Sequence, residues 1–195
     1  LRAVPEELQN LDRLLADVYY GNFSLFQSLP DSWAIDQLFP ILPVHRLNEK
    51  PENTAIISDT TCDSDGKIDH FIDIADVRRA LPLHEPIPGE DYIIGVFMIG
   101  AYQETLGDLH NLFGDTYALS VSLDDEGIVH FKDEIVGDSV ADVLSYVEYE
   151  PKEMRELFRD KIETAVRKNV LTPLDRRRIL EAYEEGLRGY TYFES

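Results

Sequence analysis

Residues 54–66 read TAIISDTTCDSDG and contain Cys62, the only cysteine of the chain. The first five residues are mostly β-branched and apolar, which favours a strand. The Asp-Ser-Asp-Gly that ends the stretch is typical of a turn. The pattern therefore predicts that Cys62 lies where a strand ends and a loop begins, a common position for functional residues.

The acidic residues around Cys62 limit what its thiol can do. Asp59, Asp63 and Asp65 all lie within three residues of it, and nearby negative charge disfavours the thiolate. The sequence thus favours a neutral thiol that donates a proton over an activated nucleophile. Asp63 and Asp65 on one turn also suit a cationic ligand, above all a guanidinium, which presents a planar fork of donors.

The stretch allows two other interpretations of this turn. Cys62 as a small buried hydrophobe beside a solvated acidic turn stays open from the stretch alone. A calcium loop is rejected, because the position that needs a bidentate Glu would be Ile72 and a strand leads into the loop. The sequence predicts no metal site.

The charge of the chain excludes some classes of partner. It has 195 residues with 18 Lys and Arg against 38 Asp and Glu, a formal net charge of −20. This balance argues against nucleic acid and against anionic membranes, and it is compatible with cationic small molecules. A single cysteine fits a reducing compartment, so a cytoplasmic location is expected. The helix-like start at Leu1 predicts a piece of a longer polypeptide or one half of a cleaved one.

Hydrophobic spacing predicts an α+β protein. The first part should contain a helix over 5–20, a strand over 23–29, a turn capped by Asp31, an edge strand over 41–45, strands over 54–58 and 68–74, a loop over 81–90 and a strand over 92–99 that is buried on both faces. The second part should contain a hairpin over 117–132 and helices over 139–146, from 151, and over 173–187.

These elements predict a mostly antiparallel, barrel-like β unit followed by a helical region. The expected domains are residues 1–20, 21–137 and 138–195. After Gly100 the spacing turns helical, and the hydroxyl of Tyr102 could bind an anion there, the alternative being that Tyr102 packs in the core.

Several segments, in order, resemble the C-terminal part of the bacterial biosynthetic arginine decarboxylases, which are alanine-racemase-like, pyridoxal-phosphate-dependent decarboxylases. The matching segments are NFSLFQSLPDSWAIDQLFP at 22–40, TCDSDG at 61–66, GAYQ at 100–103, HNLFGD at 110–115 and GYTY at 189–192. The resemblance implies a β-domain with helical additions, without the (β/α)8 barrel that carries the cofactor and its lysine.

The resemblance also implies roles for particular residues. Cys62 would protonate the α-carbon after CO2 leaves, Asp63 would receive the distal cation of the substrate, and Asp65 would be a second acceptor. Tyr102 would hydrogen-bond the phosphate of pyridoxal 5'-phosphate, and a further substrate-contacting acid is expected between Asp31 and Asp36.

At the level of the whole protein, the resemblance implies conversion of L-arginine to agmatine in the biosynthesis of polyamines such as putrescine and spermidine. It implies a homo-oligomer whose sites are shared between subunits, a barrel-containing N-terminal part as partner, and possible Mg²⁺ dependence. Without the barrel, this chain alone is expected to be inactive. The alternative is a non-catalytic, decarboxylase-like module that pairs with or regulates such an enzyme.

Overall fold

Strand β3, Asn53–Ser58, is the strand with which every other strand of the largest sheet pairs, and it confirms the strand predicted over 54–58. In the computed structural model, the residues described are 14–74, 76–100 and 102–194. The chain divides into two compact units, residues 1–108 and 109–195. The change from strands to helices near residue 138 falls inside the second unit, and the three domains predicted from it stay a prediction.

The first unit contains eight short strands within its described residues. They are β1 Asp17–Tyr20, β2 Ile41–Pro43, β3, β4 Lys67–Ile68, β5 Phe71–Ile72, β6 Val77–Arg78, β7 Leu81–Leu83 and β8 Ile94–Val96. β3 pairs in parallel with β1 and antiparallel with β4 and β7. β2 pairs with β8, and β5 with β6, both antiparallel. The mostly antiparallel α+β fold is therefore confirmed.

The first unit also has short helices. They are α1 Leu25–Ser28, α2 Pro30–Ala34 and α3 Tyr102–Leu106. The strand predicted over 23–29 is therefore wrong. Ser24 caps α1, since its hydroxyl accepts a hydrogen bond from the Gln27 N–H at 3.3 Å. Leu25 and Phe26 are buried in succession, which suits a helix better than a half-exposed strand that alternates.

The predicted helix over 5–20 lies mostly outside the described residues, and its C-terminal end is wrong because Asp17–Tyr20 forms β1. Val18 and Tyr19 are β-branched and aromatic, so they fit a strand, and the register places Asp17 opposite Ala55. The helical turn after residue 29 is confirmed as α2. However, its N-cap is Leu29 rather than Asp31, and no side chain caps it.

Three further boundaries differ from prediction. Leu81–Leu83 is a strand rather than a loop, and Pro82 is tolerated because β7 pairs only with β3 among the described strands. Of the run 92–99 only Ile94–Val96 is a strand, and it is half-buried rather than buried on both faces. The predicted return strand over 68–74 is split between β4 and β5, which pair with different partners.

The core of the first unit collects side chains that are distant in sequence. Its buried members come from α1, the residue between α1 and α2, the segment after α2, and strands β3, β4, β5 and β7. They are Leu25, Leu29, Phe39, Ala55, Ile57, Ile68, Phe71, Leu81 and Leu83. Because β3 contributes from the centre of the sheet, this core fixes the strand end from which the Cys62 turn leaves.

The second unit follows the predicted elements closely. β9 Ala118–Leu123 and β10 Val129–Ile135 form the expected antiparallel hairpin. The expected helices follow as α4 Val140–Tyr146, α5 Pro151–Arg167 and α6 Pro173–Arg188. Ser139 and Thr172 start α4 and α6 with capping boxes, in which hydroxyl and carboxylate satisfy backbone N–H groups reciprocally. Among the described helices, none has the length and apolarity needed to span a membrane.

Candidate functional site

The turn that carries Cys62 is closed at its base by Asp59. This residue is 2% exposed, and its Oδ2 accepts a hydrogen bond from the Leu25 N–H at 2.8 Å. Its Oδ1 accepts from the N–H and the hydroxyl of Thr61 at 3.0 and 2.7 Å. The carboxylate therefore joins the end of β3 to the start of α1. It is a structural group, a role that its place near Cys62 in the sequence did not predict.

Gly66 closes the other side of the same turn. Its carbonyl accepts a hydrogen bond from the Asp59 N–H at 2.8 Å. A Cβ atom at this position would clash with Asp59 Oδ1 and with Thr61 Oγ1. Glycine is therefore required by close packing against the buried carboxylate, a reason that the turn-like sequence does not reveal.

Cys62, Asp63 and Asp65 lie at the exposed tip of this turn. Asp63 Oδ1 accepts a hydrogen bond from the Asp65 N–H at 3.2 Å, which is the local geometry of an Asx turn. The Thr60 N–H and hydroxyl each donate to the Phe23 carbonyl at 3.0 Å. The tip is thus displayed from a base that is fixed on several sides. Exposure of Cys62 also removes the interpretation of it as a buried hydrophobe.

A cleft of about 580 Å³ adjoins the tip through Asp65. Its lining brings together three carboxylates that are separate in sequence, those of Asp36, Asp65 and Asp69, with Trp33 at the end of α2. Asp36 has a left-handed backbone with φ of 55°, which Asp adopts more readily than most residues. We call these residues the carboxylate cleft. Lys67 also lines the cleft, so it carries one cation against three carboxylates, and this excess of negative charge suits a cationic ligand.

His70 also lines the carboxylate cleft. Its Nδ1 lies 2.6 Å from Asp69 Oδ1, and its Nε2 is in hydrogen-bond contact with the Arg79 guanidinium. Because arginine only donates, Nε2 accepts and Nδ1 carries the proton that is donated to Asp69. Both ring nitrogens are engaged, which supports a structural role for His70 rather than acid–base chemistry.

Tyr102 is the first residue of α3 and is 75% exposed. This exposure contradicts the alternative that Tyr102 packs in the core. Its neighbour Gln103 is buried and hydrogen-bonds to Asp31 of α2. The resemblance implied a further substrate-contacting acid between Asp31 and Asp36, and these two candidates differ in their surroundings. Asp31 is hydrogen-bonded to Gln103, whereas Asp36 lines the cleft.

The structure brings some predicted site residues together and leaves others apart. Asp65 shares the cleft with Asp36, whereas Cys62 and Asp63 are not among its described lining residues. Sequence reasoning missed Asp59, Asp69 and Gln103 as residues that shape the site. Only Asp59 had a signal, a carboxylate placed directly at the end of an apolar strand. The described residues contain no group of three His, Cys, Asp or Glu that could hold a metal ion.

The chain is similar to known proteins along nearly its whole length. The chain is 50% identical over 192 residues to the biosynthetic arginine decarboxylase of Nostoc sp., covering 98% of this chain and 28% of that protein. It is also 50% identical over 196 residues to the enzyme of that name from Phocaeicola vulgatus, covering 100% and 31%. This chain is related throughout its length to the biosynthetic arginine decarboxylases.

A family match and a solved structure show which part of these arginine decarboxylases the chain resembles. The family described as arginine decarboxylase C-terminal helical extension matches residues 140–193, which hold α4, α5 and α6. The crystal structure of the biosynthetic arginine decarboxylase from Campylobacter jejuni superposes with a TM-score of 0.79 at 34% identity. That likeness covers 91% of this chain and 29% of the other. The chain spans less than a third of the length of these relatives, which agrees with the expectation of a β-domain with helical additions and without the (β/α)8 barrel.

Proposed function

We propose that this chain is the C-terminal part of a pyridoxal-phosphate-dependent enzyme that converts L-arginine to agmatine and CO2 in cytoplasmic polyamine biosynthesis, towards putrescine and spermidine. The observation that carries the proposal is 50% identity to arginine decarboxylases over 98% of the chain. The carboxylate cleft also supports it, because its excess of carboxylates suits a cation and a guanidinium offers carboxylates a planar fork of donors.

The substrate role falls to the acids at the tip of the turn. Asp63 and Asp65 accept hydrogen bonds from the guanidinium of arginine, and Asp36, which lines the same cleft as Asp65, adds negative charge. The short Asx turn supports this role, since it keeps the two acids on one rigid loop. A compact ammonium, as in ornithine or lysine, would not fill both acceptors in the same way.

Cys62 supplies a proton and Tyr102 holds the cofactor. When bound, pyridoxal phosphate supplies the electron sink for the pair left on the α-carbon as the bond to the carboxylate breaks. The Cys62 thiol then donates its proton to that carbon, and the sulfur regains a proton from solvent. The exposed hydroxyl of Tyr102 is available as a donor to a phosphate oxygen.

The proposal requires other polypeptide to complete the site. The turn tip and Tyr102 are both exposed, and the lysine that holds the cofactor is expected on the barrel. We therefore propose the barrel-containing part of the enzyme and a second subunit as partners, with sites shared between subunits. The described residues contain no group of three His, Cys, Asp or Glu that could hold Mg²⁺, so the proposed reaction has no step on magnesium.

The test uses the complete enzyme with Asp63→Asn and Asp65→Asn, each compared with Asp125→Asn, an exposed acid of the hairpin turn. Loss of a charged hydrogen bond of roughly 1.5–3 kcal/mol should raise the KM for arginine about 10- to 150-fold. Asp125→Asn should leave KM unchanged. An unchanged KM in both site variants would remove these acids from substrate binding.

A second measurement separates catalysis from binding. Cys62→Ala should slow agmatine formation and release an aldehyde by-product, because the α-carbon then lacks its proton donor. Clean agmatine at the normal rate would refute the role of Cys62. The alternative of a non-catalytic module receives no better support from the comparisons, and it predicts that the complete protein forms neither agmatine nor CO2 from arginine.

A further inference from the structure

Gln103 is buried, at 4% exposure, although Tyr102 beside it is exposed. Its carboxamide makes two hydrogen bonds to one residue that is 72 positions earlier, Asp31. The Gln103 Oε1 accepts from the Asp31 N–H at 3.2 Å, and the Gln103 Nε2 donates to Asp31 Oδ2. Because the pair uses both ends of the carboxamide, it fixes the orientation of the Gln103 side chain.

The C-terminal end of α3 is held separately. The Asp108 N–H donates to the Phe26 carbonyl at 3.0 Å. A Cβ at Gly107 would clash with the Gln27 carbonyl oxygen, so the chain there is packed directly on α1. Because the backbone holds that end, the Gln103–Asp31 pair holds the other end of α3, which carries Tyr102.

Asp31 also directs the chain into the carboxylate cleft. Its carbonyl oxygen accepts hydrogen bonds from the N–H groups of Ile35 and Gln37 at 3.2 and 3.0 Å. These two bonds flank Asp36, whose left-handed backbone lies between them. Asp31, whose side chain and N–H are bonded to Gln103, therefore also sets the backbone path of the cleft wall.

We infer that Gln103 is a positioning residue that couples Tyr102 to the carboxylate cleft through Asp31. It sets the separation between the hydroxyl that holds the cofactor phosphate and the wall that faces the guanidinium of the substrate. A change at Gln103 therefore weakens cofactor affinity and substrate affinity together. The inference rests on the proposed function and names a residue for which that proposal has no role.

The experiment reverses the polarity of the pair in the complete enzyme. In Gln103→Glu, the new carboxylate still accepts from the Asp31 N–H but faces Asp31 Oδ2, and two like charges in a buried site repel. In Asp31→Asn with Gln103→Glu, the Asn amide donates to the Glu carboxylate and restores both bonds. Glu104→Gln, an exposed change of charge one residue along the helix, is the matched control.

Two quantities are measured: the Kd of pyridoxal phosphate for the apoenzyme, by fluorescence titration, and the KM for arginine. Gln103→Glu should raise both about tenfold, which corresponds to roughly 1.4 kcal/mol, and the double variant should return both to within about threefold of the wild type. Should Gln103→Glu fail to fold, Gln103→Met removes both bonds without charge and should raise both constants about threefold.

The outcomes separate the inference from the function. Lower thermal stability with unchanged Kd and KM would show a purely structural role and overturn the inference, as would a double variant no better than Gln103→Glu. Absence of agmatine formation by the wild type would instead overturn the proposed function. In that case the Kd of pyridoxal phosphate would still show whether the double variant regains the cofactor affinity that Gln103→Glu loses.

Discussion

The two units of the chain place their polar side chains differently. In the first unit Asp59, His84 and Gln103 are buried, and Asp59 and Gln103 bond to residues 34 and 72 positions away. In the second unit the hydroxyls of Ser139 and Thr172 bond to N–H groups three residues away at exposed helix starts. Tyr192 is an exception, since its buried hydroxyl donates to the Gly114 carbonyl at 2.9 Å.

The geometry of the first unit therefore depends on contacts between residues that are distant in sequence. A buried polar group without its partner costs the full loss of hydration, whereas an exposed one exchanges its partner for water. The unit that carries the candidate site therefore depends on a few buried pairs. The helices of the second unit depend on many local contacts of small individual value.

The largest effect is expected for Asp59→Ala. The change leaves the Leu25 N–H and the Thr61 N–H and hydroxyl without their acceptor. At roughly 1–3 kcal/mol for each unsatisfied group, we expect a loss of about 4 kcal/mol in the free energy of unfolding, measured by urea denaturation. Asp125→Ala on the exposed hairpin turn should change it by less than about 0.5 kcal/mol. A loss at Asp59 equal to that control would contradict the buried-pair argument.

Gly66→Ala should lower the free energy of unfolding by about 2 kcal/mol, since overpacking typically destabilises a protein by roughly 1–3 kcal/mol. The added methyl group would meet the Asp59 carboxylate and the Thr61 hydroxyl. Gly100→Ala is the control, because a Cβ there meets nothing within 4 Å. Equal urea midpoints for the two variants would mean that the turn accommodates the added methyl group without loss of stability.

Ser139→Ala tests a local cap and should cost about 1 kcal/mol. Hydrogen bonds from the Ser139 hydroxyl and N–H hold the pKa of Asp142 below its ordinary value. A carboxyl whose pKa is lowered by folding stabilises the fold above its unfolded pKa, so this contribution is lost as the pH falls below about 4. As the pH is lowered, the free energy of unfolding of the variant should fall less than that of the wild type. NMR titration should show a higher pKa for Asp142 in the variant. An unshifted Asp142 titration would refute the cap.

Gly186→Ala should have the smallest effect and the opposite sign. Gly186 lies inside α6, and a Cβ there meets no atom within 4 Å. Alanine costs less conformational entropy in a helix, so we expect a gain of roughly 0.5–1 kcal/mol in the free energy of unfolding. A glycine-to-alanine substitution is thus expected to stabilise the second unit at Gly186 and to destabilise the first unit at Gly66. Loss of stability at both positions would contradict this expected difference between the units.

The sequence predicted the second unit well because its signals are local. Thr172 followed by Asp175, and Pro151 and Pro173 at first helical positions, mark helix starts directly. The turn between β9 and β10 is marked by Gly127, whose φ is 80°. These residues need no knowledge of distant contacts.

The first unit was predicted less well because its local patterns are ambiguous. Residues 23–29 alternate like a strand, yet burial of Leu25 and Phe26 in succession decides for a helix. The position of Cys62 at a strand end was predicted, and its role and those of Asp63, Asp65 and Tyr102 stay predictions. The cleft was not foreseen, since only tertiary packing brings Asp36 and Asp69 to the lining of one cleft.

The hairpin of β9 and β10 has a practical consequence. Leu119, Val121 and Phe131 are each more than half exposed on its strands, and the chain carries a net charge of −20. Electrostatic repulsion keeps such molecules dispersed at low ionic strength, and added electrolyte shortens its range from about 30 Å at 0.01 M to about 3 Å at 1 M. Light scattering from this polypeptide should therefore grow as salt is added, the reverse of ordinary salting-in.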